Sequence, residues 1–371
     1  MTLSFKKLFF VLATVLLSIY MLFAAKSILI PVVFAMLVAF ILYPLVKWLT
    51  KRNIALIWSV IWTMASVTIV VLGVLFLFSA QIVSIVKEYS GFLARLQEVM
   101  DKVIVFLNER VSIIPPIDSQ MINEQITQLF SDSGLLIVSD TIGVTSTLFT
   151  YLVLTFIYSF LILLYHKHLT KALIHFNPKE DQPAFGEMLK EVQEIGQKYL
   201  TSMLTLVLVL GGLNSLGLWL IGIEYALFFG FLAALLAIIP YVGTVVGGLI
   251  PTLFALITYD SYWYAIGVVA MFWFVQFLEG NFLNPKIVGG NLNINAFFSI
   301  LSLIAGGLLW GIPGMILFLP MVAILKVVCS YYTELKPVAL LLGDSEEKNS
   351  HPIFERIEQW GQSIISKITK K

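Results

Sequence analysis

The chain has 371 residues, of which 59% are hydrophobic and 12% charged, and a net charge of +1 at pH 7. Soluble domains carry about 25% charged residues, so a soluble fold is excluded and the bilayer is the solvent for most of the chain. The near-neutral balance excludes a strongly basic nucleic-acid binder, and the single cysteine, Cys329, excludes an internal disulfide.

A spanning helix needs about 20 apolar residues. Leu8–Ala25 and Ser27–Val46 each qualify and read as two crossings joined tightly rather than as a cleaved signal peptide. Lys47, Lys51 and Arg52 follow, and Ile54–Val86 is a third, long span. The composition then changes. Between Gln81 and Thr147 there are four basic and eight acidic residues, and Ile82, Ile85, Tyr89, Phe92, Leu96, Val99, Val103 and Phe106 form one apolar stripe at helical spacing. This predicts a small amphipathic helical insertion outside the bilayer, its stripe packing within the insertion or against another subunit. Leu148–Tyr165 is the fourth span, Lys179–Lys198 a mixed-charge helix and Thr201–Ile223 the fifth span.

Lysines and arginines cluster at Lys6-Lys7, Lys47–Arg52, Lys167/Lys171 and Lys326/Lys336. The positive-inside rule puts these edges, and both termini, in the cytoplasm and the acidic insertion outside. The expected organisation is N-terminal spans over 1–80, an extracytoplasmic insertion over 81–147, a span over 148–165 and a cytoplasmic helical segment over 166–198. A transport half over 199–328 and a cytoplasmic tail over 329–371 complete it. The fold class is all-α: a polytopic membrane protein with about six to eight transmembrane helices.

Two uncharged runs do not fit single upright crossings. Tyr225–Tyr259 has 35 residues and Ile287–Leu325 has 39, about 52 and 58 Å as helices against a hydrocarbon core of about 30 Å. Both are interrupted near the middle, by "IIPYVGTVVGG" (Ile238–Gly248) and "AGGLLWGIPG" (Ala305–Gly314). Proline removes a helical N–H and glycine relaxes the backbone. Two broken hairpins, re-entrant or tightly turned, follow, with Pro240, Gly243, Gly306, Gly307, Gly311 and Pro313 as hinges. Broken helices in lipid are tolerated where protein or water covers the freed backbone, and they point to transport sites.

Between these runs lies "QFLEGNFLNPKIVGG" (Gln276–Gly290). Glu279 stands 19 residues after Asp260, about 28 Å along a helix, so it reads either as an interfacial acid or as part of a site. Gly280, Asn281, Asn284 and Pro285 are expected to unwind the chain here. Unwound carbonyls, the amides of Gln276, Asn281 and Asn284 and one acid could hold a cation or a polar solute. Withdrawn into a closed cavity, Glu279 becomes a candidate proton carrier. Lys286 is a possible counter-ion or a cytoplasmic anchor. The four histidines lack an HExxH spacing, and no motif calls for a metal, a cofactor or an intramembrane catalyst.

Three blocks together resemble the AI-2E family of autoinducer-2 exporter-like, PerM-type permeases: "PYVGTVVGGLIPTLFAL" (Pro240–Leu256), Gln276–Gly290, and "LSLIAGGLLWGIPGMILFLPMVAILKVV" (Leu301–Val328). The resemblance implies export of a small polar solute, such as an autoinducer-2-like furanone, by a homo-oligomer in the bacterial cytoplasmic membrane. It equally admits a Na⁺(Li⁺)/H⁺ antiporter; a non-transporting scaffold is the rival from another class. Many members carry a His-Pro pair where this chain has Asn295-Ala296, so a histidine-dependent proton step is not available there, although Asn295 could still bind a ligand. Alternating access is expected, with the hairpin tips meeting the Gly280–Pro285 segment around the solute.

Overall fold

The computed structural model describes residues 5–88, 133–239, 242–287 and 293–343, together with 101, 104, 105 and 108. Among these residues the chain is an all-α membrane protein. Its helices are α1 (Phe5–Ala24), α2 (Lys26–Lys51), α3 (Leu56–Glu88), α4 (Ser133–His175), α5 (Gln182–Ile221), α6 (Ala226–Leu236), α7 (Val242–Thr258), α8 (Tyr262–Leu278), α9 (Ala296–Trp310), α10 (Ile312–Tyr331) and α11 (Lys336–Leu342). Six are long and apolar enough to cross a membrane: α2, α3, α4, α5, α10, and α8 with its continuation to Leu283. Most of the proposed insertion, with its apolar stripe and the Asp118–Phe130 segment, lies outside the described residues.

In lipid there is little hydrophobic drive between helices, so small residues and polar contacts set the packing. In α4, Ser159 is fully buried and donates to the Ala35 carbonyl of α2 at 3.3 Å. Leu42, Val46, Val60 and Leu163 fill the interface of α2, α3 and α4. On the other side of α2, Ile30 and Leu37 pack with Trp310, Leu317 and Phe318 of the α9–α10 hairpin. A second core, of Leu218, Phe228, Phe229, Phe254, Ala255 and Val268, joins α5, α6, α7 and α8. The Tyr259 hydroxyl staples its corner, donating to the Gly222 carbonyl at 3.0 Å and accepting from the Glu224 N–H at 2.8 Å.

Both overlong runs are broken as expected. In the first, α6 and α7 have 11 and 17 residues, about 16 and 26 Å, so neither arm matches the hydrocarbon thickness. In the second, α9 has 15 residues and α10 has 20, about 22 and 30 Å, so a short arm returns against a spanning one. The second turn is a single residue, Gly311, at φ 65° and ψ −142°, a region open essentially to glycine alone. Beside it Gly306 and Gly314 bring the backbones of α9 and α10 together, and a Cβ on either would collide with the other's carbonyl. Pro313 sits in the first turn of α10, where its missing N–H is not needed. Pro240 lies outside the described residues. Gly243 follows it, with its Cα hydrogen side against the Leu236 carbonyl.

Three local features add to the expectations or depart from them. Only Ala25 separates α1 from α2, and the N–H groups of Ile28 and Leu29 both bond to its carbonyl. Helical bonding is thus carried across a one-residue joint where two tightly joined crossings are expected. The polar 166–198 segment is helical at both ends and continuous with the flanking spans. Helix α4 runs on to His175, and α5 is one 40-residue helix that includes both the mixed-charge stretch and the fifth span. Backbone i→i−4 bonds are indifferent to where lipid ends, so a composition change need not break a helix. Finally, Gly280–Pro285 is not unwound but wound differently, as described next.

Candidate functional site

Helix α8 ends in one π-helical turn, Glu279–Leu283, followed directly by the short helical turn Asn284–Ile287. Proline at 285 has no N–H with which to continue the α-helical ladder. Widening the helix to i→i+5 accommodates this without unwinding; the Asn284 N–H bonds to the Glu279 carbonyl. The widening has a geometric result. In an α-helix, residues five apart point about 140° away from each other, and the wider π turn brings them much closer in direction. Asn284 therefore lies over Glu279, and its Nδ2 donates to the carboxylate Oε1 at 3.4 Å. The Gln276 amide, one turn earlier, also reaches that carboxylate. Glu279 is 7% exposed and is the one charged side chain buried among the described residues.

Glu279 opens on a cavity of about 370 Å³. Five parts of the fold wall it. Helix α5 presents Tyr199, Met203 and Leu206, which share one helix face; the α6–α7 tip presents Ala237, Ile238 and Thr244; the end of α8 presents Gln276, Glu279 and Asn284. Ser299, Ile300 and Leu303 of α9 and Met315 and Leu319 of α10 close the remaining side. Tyr199, 5% exposed, donates its hydroxyl to the Ile316 carbonyl at 3.0 Å, tying α5 to α10 at the wall. Its oxygen keeps acceptor capacity. The site thus combines one desolvated acid, two amides and three hydroxyl groups on a mostly apolar lining. That set suits hydrogen bonding to a small polar solute and charge compensation of a cation or proton; it holds no nucleophile–base pair.

The predicted residues divide. The structure brings Gln276, Glu279 and Asn284 together on the cavity. Asn281 faces away; its amide is exposed and donates to the Phe277 carbonyl at 2.8 Å. Lys286 is exposed, and the Glu279 carboxylate is held by amides rather than by it. Asn295 also lies off the cavity. Its Oδ1 caps α9 at the Phe298 N–H, 3.0 Å, and its Nδ2 donates to the Leu341 and Gly343 carbonyls at 2.8 and 3.2 Å. It clasps the end of α11 to the start of α9. Gly280 is in open space, while Gly307 packs on Met315 of the cavity wall. Tyr199, Thr244 and Ser299 were not anticipated. Hydroxyl residues in apolar spans carry little signal, because they commonly bond to their own helix.

The sequence profile of AI-2E family transporters matches residues 8–334. The chain is 25% identical over 332 residues to YhhT of Escherichia coli (strain K12), whose name designates it a candidate transport protein; 89% of this chain and 92% of YhhT align. It is 32% identical over 166 residues to YrrI of Bacillus subtilis (strain 168), similarly designated, across 45% of this chain and 46% of YrrI. Over 122 residues it is 31% identical to TqsA of E. coli (strain K12), named as an AI-2 transport protein, across 33% of this chain and 35% of TqsA.

Proposed function

Since the chain belongs to the AI-2E transporter family and is a multi-pass membrane transporter, we propose that it exports a small polar solute of the autoinducer-2 type by alternating access. The observation that carries the reading is the cavity. Its volume of about 370 Å³ falls in the range of small-molecule sites, about 300–1,000 Å³, and is far larger than a bare ion needs. Glu279, Gln276 and Asn284 bind the polar edge of the solute, with Thr244, Ser299 and Tyr199 around it. The apolar walls from Met203, Leu303 and Met315 exclude water. The name of the relative TqsA supports a solute of this class. The two hairpin tips form the moving parts, since each is a helix break with few residues to swing. We place the chain in the bacterial cytoplasmic membrane as a homo-oligomer with both termini inside, in line with its lysine-rich edges.

The experiment is flux in proteoliposomes. Purified protein is reconstituted with an isotope-labelled furanone of the autoinducer-2 type inside, and release is followed for wild type, Glu279→Gln and Asn284→Ala. Wild type releases the solute above protein-free vesicles, and Glu279→Gln lowers the initial rate at least about tenfold, the equivalent of about 1.4 kcal/mol. Equal rates for Glu279→Gln and wild type overturn the site. Release no faster than from empty vesicles overturns this solute class.

A further inference from the structure

The solute cavity has a small neighbour. A niche of about 20 Å³ lies between α5, the α6–α7 tip and α8, bordered by Asn214, Ala237, Thr244, Gln276 and Glu279. The last four also line the large cavity, so the two spaces share a wall. Space on that scale holds one water-sized body, which is the size of a single hydroxyl group. Asn214 is the feature that calls for one. It stands in the apolar part of α5, is 5% exposed, and its Oδ1 is buried and accepts no hydrogen bond from a described residue. A buried oxygen left unmatched is costly. Leu210, Phe272 and Val275, which complete that wall, carry no side-chain donor.

The chemistry of the border decides what fits. Asn214 Oδ1 and the Glu279 carboxylate are acceptors, so the entering group must donate. The Gln276 amide has two N–H donors, so it can serve the Glu279 carboxylate and also the group in the niche. A hydroxyl donates and accepts, and so matches a border of both kinds. A carbonyl or ether oxygen only accepts and would face Asn214 Oδ1 lone pair to lone pair. An ammonium donates three times and accepts nothing, which leaves the Gln276 side of the border unserved. Glu279 borders both spaces. A second hydroxyl, on the adjacent carbon of the same solute, therefore stays in the large cavity and donates to the carboxylate there.

We infer that Asn214 is a specificity-determining residue that reads one hydroxyl of a vicinal diol. That hydroxyl sits in the niche and donates to Asn214 Oδ1. Its neighbour donates to Glu279, and the body of the solute fills the large cavity. The inference rests on the proposed export of a small polar solute and names the group by which that solute is recognised. Solutes that present acceptors alone leave Asn214 unmatched, and a site built to bond a substrate hydroxyl rejects the analogue lacking it.

The test measures release from proteoliposomes of the full chain over a range of internal concentrations. The probes are a labelled neutral furanone carrying a vicinal diol and its two deoxy analogues, each lacking one hydroxyl of the pair. With wild type, each analogue half-saturates at a concentration at least about tenfold above that of the diol. In Asn214→Leu, close in volume but without the oxygen, this ratio falls to within about twofold for one analogue and persists for the other, whose missing hydroxyl is the one Glu279 reads. Asn214→Asp, which keeps an oxygen acceptor, retains both preferences. This variant carries the test on its own should Asn214→Leu not fold. Wild type that half-saturates equally with the diol and either analogue overturns the inference. So do wild-type ratios in Asn214→Leu, the result a merely structural asparagine would give, or loss of both preferences in a folded Asn214→Asp. Tighter half-saturation by an analogue with an ammonium in place of either hydroxyl overturns it as well. Each of these results leaves the transport function standing, because the furanones are still released. Release of no furanone above protein-free vesicles overturns the transport function, and this inference with it.

Discussion

The tightest contact in the second hairpin makes a quantitative prediction. In Gly314→Ala the new Cβ would lie 2.6 Å from the Gly306 carbonyl carbon and 2.9 Å from the Trp310 Cβ. Carbon atoms rest at about 3.5–4.0 Å. The obstacle on the Gly306 side is helix backbone, not a side chain that can swing aside. Helices α9 and α10 must therefore part by about 1 Å, and a gap of that size forfeits roughly a quarter to a half of each contact it opens. The contacts at stake include Trp310, Leu317 and Phe318 against Ile30 and Leu37 of α2. Overpacking of this kind costs about 1–3 kcal/mol, or about 5- to 150-fold in the folding equilibrium. Equilibrium unfolding in mixed micelles measures it, with Gly280→Ala as the comparison, since nothing lies within 4 Å of a Cβ at Gly280. Gly314→Ala should lower stability by about 1–3 kcal/mol and Gly280→Ala by less than about 0.5 kcal/mol. Equal effects of the two would refute the close-approach argument.

Other outcomes follow from the same geometry. Gly243→Ala drives a Cβ into the Leu236 carbonyl beside Ala237 and Thr244, so furanone release should fall at least about tenfold and stability should drop; wild-type release would count against a closely packed first tip. Asn295→Ala removes the α9 cap, about 1 kcal/mol, and both bonds to the α11 carbonyls. Hydrogen exchange over 336–342 should accelerate while release stays within about twofold of wild type, because Asn295 lies off the cavity. Asn281→Ala, changing an exposed side chain bonded only to its own helix, should leave release unchanged in the assay where Asn284→Ala slows it. In Trp310→Phe the indole N–H no longer reaches the Leu22 carbonyl, 2.9 Å away. This should cost about 0.5–1.5 kcal/mol and speed exchange at the α1–α2 joint.

The broken hairpins were legible because an uncharged run too long for one crossing and interrupted by Gly and Pro has few other solutions in lipid. Glu279 was legible for a related reason: a lone acid in an apolar segment is costly unless its surroundings are built for it. The π turn was not. Gly280, Asn281, Asn284 and Pro285 read as a break, yet a helix can absorb a proline by widening one turn, and propensity does not distinguish the two. That one difference decides which amide faces the acid, putting Asn284 on it and Asn281 away from it. Asn295 was a misread signal. An asparagine directly before the apolar run 296–310 is an N-cap pattern, and both ends of its amide are used structurally.

The account rests on the solute occupying the cavity walled by the first hairpin tip and the arms of the second, and the chain's single cysteine makes this directly measurable. In a Cys329→Ser background, Ser299→Cys places a thiol on the cavity wall, and Asn281→Cys places one on the exposed side of the neighbouring turn. The rate of labelling by a small polar maleimide is followed with and without a furanone of the autoinducer-2 type. Occupancy predicts that the furanone slows labelling at 299 severalfold, in a saturable manner, and leaves 281 unchanged. A rate at 299 that does not respond to the furanone, while the same protein releases it from vesicles, would contradict the assignment of this cavity as the solute site.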